Sequence, residues 1–321
     1  MKLSDIRKEA RKLPSSALSA SQNQISDGIR ELSRHSKDFH QGLEMDSRFV
    51  DTYQDISYAN ASVQMHSHTF YELLYCHSAS GVEYLVGAER YKLQKGDLIF
   101  IPPGVSHCPI LPAHMQEPYI RDVLWISEEF LNTVVDTFMD SNVGEPSAAM
   151  LLRTAGTRWE YIGSLFRSGV IEAQTQNTDW EAAVTANAIL ILAHIRRASR
   201  DPYSKPLKAE KPELLDQVLA YIEQHLSEKI TLADVARHFF ISESTITQTF
   251  RKKMGISFYR CVIQWRLIAA KALIEKGHPM DAVAEQVGFS DYSSFFRAFK
   301  QEYGISPRQY RKLQGVSSDT K

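Results

Sequence analysis

The sequence has few cysteines and no long apolar segment, and both absences narrow the class of protein. Only three of the 321 residues are cysteine, namely Cys76, Cys108 and Cys261, and their odd number and wide spacing do not form a disulfide framework. We expect these thiols to be reduced and buried as small apolar side chains. No run approaches the roughly 18 apolar residues of a transmembrane helix, and no signal peptide opens the chain. These absences predict a soluble, cytoplasmic protein with no membrane partner.

The sequence also lacks a strong net charge, but the net charges of its two parts have opposite signs. The formal net charge is −1. Residues 205 to 321 contain 18 Lys and Arg against 13 Asp and Glu, whereas residues 1 to 204 contain 19 against 25. A basic carboxyl half suits binding to nucleic-acid phosphates. A chain of 321 residues has room for two or three domains, so we expect the acidic half to carry a different task.

Residues 277 to 312 predict two short helices joined by a tight turn. Apolar residues of the first helix recur at spacings of three and four, at Met280, Val283, Ala284 and Val287. Ser290 is expected to cap the second helix and Gly304 to end it. The second helix buries Phe295 and Phe299 and presents a polar face with Tyr292, Ser293, Ser294, Arg297 and Lys300. Such a helix-turn-helix can place its second helix in the major groove of DNA.

The same layout occurs a second time, about 50 residues earlier. Thr231 is expected to cap the first helix of this unit and Ser242 the second. The second helix buries Ile246 and Phe250 and exposes Ser244, Thr245, Thr247, Gln248 and Arg251. Between the two units, residues 258 to 275 form one continuous helical pattern. Two polar helix faces in one frame point to sequence-specific DNA binding rather than to two solvated surfaces.

The repeat resembles the DNA-binding domain of the AraC/XylS family of bacterial transcription regulators. The resemblance covers residues 213 to 312 and is most specific in the Gly288-Phe289-Ser290-Asp291 sequence and in the residues that follow it, Phe295, Phe299, Lys300, Gly304, Pro307, Tyr310 and Arg311. It implies seven helices, in which a long helix rigidly joins two helix-turn-helix units. It also implies a small-molecule effector, a homodimer and RNA polymerase as partners, and activation of genes for the catabolism of sugars or related compounds.

The resemblance assigns base-facing positions to both recognition helices. In the first helix these are Ser244, Thr245, Thr247 and Gln248, and in the second they are Tyr292, Ser293, Ser294, Phe296 and Arg297. Arg251, Lys252, Lys300 and Arg308 are expected to bind phosphates. Many relatives carry arginine at the position of Gln248, and glutamine prefers adenine through its bidentate geometry. Tyr292 and Phe296 are four residues apart, so these two rings either contact bases or pack on each other.

Residues 49 to 126 predict many short strands. Val82 to Val86 and Arg90 to Leu93 flank Gly87-Ala88-Glu89, which is typical of a three-residue hairpin loop. Strands are also predicted at 98 to 101 and at 119 to 125, with a turn at Pro102-Pro103-Gly104. Short strands at this density indicate a jelly roll or barrel. The expected fold is therefore α+β and multidomain, with a jelly-roll β-barrel and a helical segment before an all-α domain with two helix-turn-helix units.

Two motifs in the predicted barrel resemble those of the cupin superfamily. His66, His68 and Glu72 form an H-x-H-x3-E motif, and Gly96, Pro102, Gly104 and His107 form G-x5-P-x-G-x2-H. The asparagine that often follows the last histidine is missing. Three imidazoles and a carboxylate can bind divalent iron, manganese, nickel or zinc. Three interpretations stay open: a metal site at His66, His68, Glu72 and His107, a metal-free ligand pocket that these residues line with Tyr84, or simple packing.

The remaining segments are assigned by pattern. Residues 1 to 48 are an amino-terminal extension, 127 to 200 a helical dimerisation segment, 201 to 212 a semi-rigid linker with three prolines, and 213 to 314 the DNA-binding domain. In the dimerisation segment, Phe130, Val134, Val135 and Phe138 are expected to form one buried stripe.

The combined pattern predicts a ligand-responsive, sequence-specific transcription regulator without enzymatic activity. The rival is a cupin metalloenzyme, an isomerase, epimerase or dioxygenase, that carries a DNA-binding domain. A third interpretation is a constitutive DNA-binding protein with a vestigial barrel. The two rivals differ from the first in a measurable way: an enzyme turns its ligand over, and a constitutive protein binds DNA with no response to ligand.

Overall fold

The first half of the chain folds into two β-sheets. The computed structural model describes residues 45–59, 65–140 and 149–313. Seven strands fall within the predicted stretch: β1 (Val50–Ser57), β2 (Tyr71–Ser78), β3 (Glu83–Val86), β4 (Glu89–Lys92), β5 (Asp97–Ile101), β6 (His107–Ile110) and β7 (Tyr119–Ile126). Two more, β8 (Met150–Arg153) and β9 (Lys205–Pro206), lie beyond residue 126, so the predicted end of the barrel at that residue is wrong.

The strands form a six-stranded sheet in the order β1-β7-β2-β5-β8-β9 and a three-stranded sheet in the order β4-β3-β6. All strand pairs of these two sheets are antiparallel. Because side chains alternate along a strand, one face of the large sheet turns toward the small sheet and the other faces outward. Tyr53, Leu74, Ile99, Tyr119 and Trp125 belong to the core between the sheets. This double-sheet arrangement confirms the predicted jelly-roll class.

The hairpin between β3 and β4 is tighter than predicted. Val86 pairs with Glu89, so the loop has two residues, Gly87 and Ala88, rather than three. Gly87 has φ +58°, a left-handed conformation that two-residue hairpin loops favour.

Three helices cover the outer face of the large sheet: α1 (Glu128–Phe138), α2 (Ile162–Thr175) and α3 (Trp180–Ala198). Phe130, Val134 and Val135 are buried in their core as predicted, but Phe138 at the end of α1 is 69% exposed and does not join them. Gly163 lets α2 approach the sheet closely, because a Cβ there would lie 2.4 Å from the ring of Tyr75. The described residues of the segment 127–200 form these three helices, as predicted, and the strand β8.

The carboxyl-terminal domain contains seven helices within residues 213–313, in agreement with the prediction. They are α4 (Leu214–Gln224), α5 (Leu232–His238), α6 (Glu243–Met254), α7 (Phe258–Glu275), α8 (Met280–Gln286), α9 (Tyr292–Tyr303) and α10 (Pro307–Leu313). Thr231 and Ser242 cap α5 and α6 by accepting bonds from backbone N–H groups, as expected. The cap of α9 is Asp291 and not Ser290, because the Asp291 carboxylate accepts the N–H of Ser294 while Ser290 Oγ donates to that carboxylate.

The two helix-turn-helix turns have equivalent backbones but different side chains. The N–H of Ile241 bonds to the carbonyl of Ala236, and the N–H of Phe289 bonds in the same way to that of Ala284. The left-handed residue of the turn is Phe240 in the first unit, with φ +56°, and Gly288 in the second, with φ +84°. Phe240 points into solvent and is 95% exposed. Each unit has its own core, with Ile246 and Phe250 in the first and Phe295 and Phe299 in the second, all fully buried.

The segment expected to be a separate linker is part of the fold. Residues of β9 pair with β8, with Pro206 opposite Leu152. The N–H of Glu210 donates to the carbonyl of Arg90 in β4 at 2.7 Å. One apolar cluster joins Leu85 and Ile110 of the small sheet to Leu215 of α4 and Trp265 of α7. The carboxyl-terminal domain is therefore docked on the barrel.

The thiols of Cys76, Cys108 and Cys261 are free and buried, as expected, and burial raises the pKa of Cys108 to about 12. The predicted amino-terminal extension lies almost entirely outside the described residues, which begin at 45. Within the described residues, no helix has the length and apolar character needed to cross a membrane.

Candidate functional site

The cupin-motif residues meet where the two sheets come together. Glu72 is carried by β2, and His107 opens β6. His66 precedes β2 and forms an isolated antiparallel bridge with His107, in which each backbone N–H donates to the other carbonyl at 3.2 and 2.9 Å. His66 and His68 lie outside β2, which begins only at Tyr71, and residues 69–70 form a bend. Even so, the three imidazoles converge on the Glu72 carboxylate.

The distances within this cluster suit a shared ligand. Single ligand atoms of His66, Glu72 and His107 all lie within 4.8 Å of one another. Nε2 of His107 is 3.0 Å from Oε2 of Glu72, and Nε2 of His68 is 3.6 Å from the same oxygen. His68, Glu72 and His107 are buried, whereas His66 is half-buried. The structure thus brings together all four residues of the predicted set.

Backbone carbonyls fix the proton positions of two imidazoles. Nδ1 of His68 lies 2.8 Å from the carbonyl oxygen of Phe70, and Nδ1 of His107 lies 2.9 Å from that of Val105. A carbonyl only accepts, so each Nδ1 carries a proton and donates. In the neutral ring, Nε2 then presents a lone pair. Within the described residues, neither Nε2 atom makes a hydrogen bond with good angles, although both lie close to Oε2 of Glu72.

Glu72 is oriented and ionised in this setting. Its Oε1 accepts a hydrogen bond from Nε1 of Trp125 at 2.8 Å. Burial alone would raise the pKa of the carboxyl, but its contacts with His107 and His68 hold that pKa well below its usual range. Burial lowers the pKa of His68, which favours its neutral form. Two imidazole Nε2 atoms therefore converge on one carboxylate oxygen, an arrangement that can hold a proton or a metal cation.

Aromatic side chains close the site. The ring of His68 stacks on Phe70 with centroids 4.0 Å apart, and Tyr84 lies parallel to His107 at 6.3 Å. Tyr84 is buried as the prediction of a pocket residue requires, and burial raises the pKa of its hydroxyl well above the usual value. Imidazoles held by backbone carbonyls and a carboxylate held by an indole are the outer-shell contacts typical of metal ligands. The donor set and its surroundings fit a divalent metal.

Sequence reasoning missed a second polar group inside the barrel. Arg121 on β7 donates to Ser57 Oγ at 3.1 Å and forms a buried ion pair with Asp55. Its guanidinium lies 4.5 Å from the ring centroid of Tyr119, whose hydroxyl is buried without a bonding partner among the described residues. The available signal was the charged residue at position 121 in a strand whose inward positions are otherwise apolar or aromatic.

The first recognition helix presents most of its predicted face to solvent. Ser244, Thr245, Gln248 and Arg251 of α6 are exposed, whereas Thr247 is half-buried and donates to the carbonyl of Glu243 at 2.9 Å. The hydroxyls of Ser244 and Thr245 lie 2.7 and 2.8 Å from Ser242 Oγ. The hydroxyls of Ser244 and Thr245 therefore form hydrogen bonds with the N-cap residue of α6 in the protein without DNA.

The second recognition helix has a mixed face. Ser293, Arg297 and Lys300 of α9 are exposed, and Tyr292, Ser294 and Phe296 are half-buried. The Tyr292 and Phe296 rings contact each other, with centroids 6.1 Å apart, as the packing alternative anticipated. Ser294 Oγ donates to Asp291 and accepts from Arg297 at 3.3 Å. Arg297 is therefore the long cationic side chain at the centre of this face.

Comparison with known families matches both halves of the chain. A family described as a helix-turn-helix domain matches residues 235–313, and one described as a cupin domain matches residues 57–115.

Curated relatives are regulators. The probable transcriptional regulator LumQ of Photobacterium leiognathi is 42% identical over 32% of this chain and 42% of its own length. The uncharacterized HTH-type transcriptional regulator YfiF of Bacillus subtilis is 28% identical over 80% of this chain and 81% of its own. The HTH-type transcriptional activator RhaS of Salmonella arizonae is 24% identical over 78% and 88%. The chain thus spans about two fifths of LumQ but most of YfiF and RhaS.

These matches confirm the resemblance drawn from the sequence. The match to LumQ is confined to about a third of the chain, whereas the matches to YfiF and RhaS extend over both halves. The chain carries a cupin domain followed by an AraC-type helix-turn-helix domain, and its homologues are transcriptional regulators of the AraC family.

Proposed function

We propose that the protein is a ligand-responsive, sequence-specific DNA-binding transcription regulator, whose barrel senses a small molecule and whose helical domain reads DNA. The observation that carries the proposal is the pairing of two exposed recognition helices with a buried polar site in one docked molecule. The homologues named as transcriptional regulators support it, and the activator RhaS favours activation, with RNA polymerase as partner. A regulator of this kind acts in the cytoplasm and returns its ligand unchanged, so we propose no catalysis.

On DNA, each subunit would place α6 and α9 in successive major grooves on one face of the duplex, about 34 Å apart. Arg251, Lys252, Lys300 and Arg308 would bind phosphates and fix the register. The exposed polar side chains of α6 and α9 would read the bases. Gln248 is suited to adenine and Arg297 to guanine.

Replacing Arg297 with alanine is expected to weaken binding to the preferred duplex by about 1–3 kcal/mol, because a bidentate contact to guanine would be lost. The preferred duplex is first selected from a random library with the wild-type protein. Binding is then measured by fluorescence anisotropy on that duplex and on variants with single base substitutions. The Arg297→Ala protein should no longer distinguish the bases at one position of the half-site bound by α9.

A matched control lies three residues away. Lys300→Ala should weaken binding to all duplexes by a similar factor and reduce the salt dependence of binding by about one ion, as expected for a phosphate contact. If Arg297→Ala behaves like Lys300→Ala, Arg297 binds phosphate and reads no base. Unchanged affinity in both proteins would remove the polar face of α9 from the DNA interface.

We further propose that His66, His68, Glu72 and His107 bind a divalent metal. The convergence of two buried Nε2 atoms on one oxygen of Glu72, at 3.0 and 3.6 Å, supports this proposal, since imidazole nitrogens and carboxylate oxygens are ligands of divalent metals. When bound, a divalent cation would supply positive charge that holds an oxygen atom of the effector.

Protein purified without an affinity tag is expected to bind one Zn²⁺ in calorimetry, and Glu72→Gln is expected to abolish this binding. Trp125→Phe should weaken it by about 10–100-fold, because the indole orients Glu72 without touching the metal. His114→Ala is the control, since His114 is exposed and outside the site. The absence of binding in the wild type, with Mn²⁺, Ni²⁺ and Fe²⁺ also tested, would leave a metal-free pocket.

We also propose that a second copy of the chain packs against α2 and α3, as expected for the segment 127–200. Ile171 and Leu190 on these helices are 49% and 47% exposed, which supports an apolar contact there.

A further inference from the structure

The barrel holds the two helix-turn-helix units through different contacts. The first unit is held by the apolar cluster that joins Leu85 and Ile110 to Leu215 and Trp265, and also by charge. Arg90 of β4 is 4% exposed and lies between Glu83 of β3 and two carboxylates at the start of α4, 3.0 Å from Glu213 and 3.1 Å from Asp216. Lys253, in the last turn of α6, lies 3.3 Å from Glu213 and 3.6 Å from Glu83. None of these residues belongs to the histidine cluster.

The second unit is contacted by the segment that carries the histidines. The carbonyl of Ser67, between His66 and His68, accepts from Nζ of Lys271 on α7 at 3.4 Å. Lys271 is buried, and its Nζ lies 5.3 Å from the ring centroid of Tyr303 and 5.4 Å from that of Tyr310. Tyr303 belongs to α9 and Tyr310 to α10, so one ammonium joins the histidine segment to the last two helices of the chain.

A small cavity lies at the same place. Its walls are formed by Met65, His66 and Ser67 on the barrel side and by Gln264, Ile268 and Glu302 on the helical side. Gln264 of α7 donates to Glu302 of α9 at 3.4 Å, and both side chains are buried. The half-buried His66 is therefore in reach of the metal-site residues on one side and of the α7–α9 contact on the other.

We infer that occupancy of the histidine site is transmitted to the second helix-turn-helix unit through residues 65–68 and the contact of Ser67 with Lys271. The inference rests on the proposed metal binding. A metal held by His66 and His68 restricts the backbone between them, and this backbone includes the carbonyl that accepts from Lys271. By linkage, a metal that favours the docked position of this segment is itself bound more tightly when the segment is docked.

Hydrogen exchange measured with and without Zn²⁺ tests this directly and needs no operator sequence. We expect Zn²⁺ to slow exchange in peptides covering 264–271 and 299–303 by about fivefold or more, the lower end of typical coupling between sites. Metal binding in calorimetry without slower exchange in the peptides covering 264–271 and 299–303 would overturn the inference and leave the metal site intact. Absence of metal binding would overturn both.

Reciprocity supplies a second measurement. Lys271→Met should weaken Zn²⁺ binding by about fivefold although Lys271 is not a ligand, whereas Lys253→Met, which removes a contact to the first unit, should leave the affinity unchanged. Far-UV circular dichroism of both variants controls for folding. Equal zinc affinities of Lys271→Met and the wild type would contradict the transmission through Ser67.

Discussion

Replacing Gly288 with alanine is expected to destabilise the helix-turn-helix domain by more than about 3 kcal/mol, because a strained backbone and a steric overlap act together. Gly288 has φ +84°, and a Cβ added there would lie 2.1 Å from the carbonyl oxygen of Leu226 and 2.8 Å from Nη2 of Arg266. Nε of Arg266 donates to that carbonyl at 3.1 Å. The carbonyl of Leu226 cannot move away without weakening its hydrogen bond from Arg266, so removing the overlap costs stability.

The first unit shows that the steric term is the larger of the two. Phe240 occupies the equivalent turn position with φ +56°, so this backbone accepts a side chain when nothing obstructs it. The ring of Phe240 extends into solvent, whereas a side chain at 288 would point at the segment between α4 and α5. We therefore expect the unit containing Gly288 to tolerate no larger residue at its turn.

The measurement is hydrogen exchange of peptides within 292–303 across a urea series, which reports the local unfolding free energy of α9 in a multidomain protein. The control is Gly156→Ala, because Gly156 has φ +67° and no atom within 4 Å of its added Cβ. That variant should lose only the backbone component, about 1–2 kcal/mol, as measured by exchange of the peptide that contains residue 156. Equal losses in the two variants would show that the overlap at Leu226 relaxes freely.

Replacing Arg90 with methionine is expected to weaken the docking of the two domains by about 3–5 kcal/mol, the usual effect of removing one partner from a buried ion pair. Methionine retains much of the side-chain volume, so the change isolates the charge. Without the guanidinium, the buried Asp216 carboxylate and its neighbours Glu83 and Glu213 repel one another with Lys253 as their remaining cation. Because these carboxylates belong to different domains, separating the domains would reduce the repulsion between them.

Small-angle scattering should then show a larger radius of gyration for Arg90→Met than for the wild type, and its unfolding in urea should split into two transitions. The control is Arg48→Met, since Arg48 pairs with Glu129 on the surface at 72% and 53% side-chain exposure, and exposed pairs contribute little. A single transition and an unchanged radius in Arg90→Met would mean that the apolar contacts of Leu85, Leu215 and Trp265 hold the domains together unaided.

The helical domain could be predicted closely because its signals are local. Periodic apolar residues, caps and the glycine at 304 act within a few residues of each other, and α7 has the predicted bounds of Phe258 and Glu275. The cap of α9 was placed one residue early, at Ser290 instead of Asp291. Both residue types are good caps, and the sequence does not reveal that the carboxylate of Asp291 accepts the hydroxyl of Ser290 as well as the backbone N–H.

The barrel was predicted less completely because its pairings are distant in sequence. β8 and β9 have only four and two residues and form by pairing across more than fifty residues, so no local pattern marks them. The four residues of the histidine cluster lie together as the spacing of their motifs predicts, and what they bind stays a prediction. The ion pair of Arg121 with Asp55 and the contacts of Arg90 were not, because each depends on which strands and helices become neighbours.

The connection between the domains leaves no slack in the chain. Residues 205–206 form the edge strand of the large sheet, Glu210 bonds to Arg90, and α4 begins at Leu214. The last fixed point on the barrel and the first helical turn are therefore only a few residues apart, about 10–15 Å even when extended. The helical domain cannot move far from its barrel while the N–H of Glu210 stays bonded to the carbonyl of Arg90, so any large reorientation on DNA must first break this hydrogen bond.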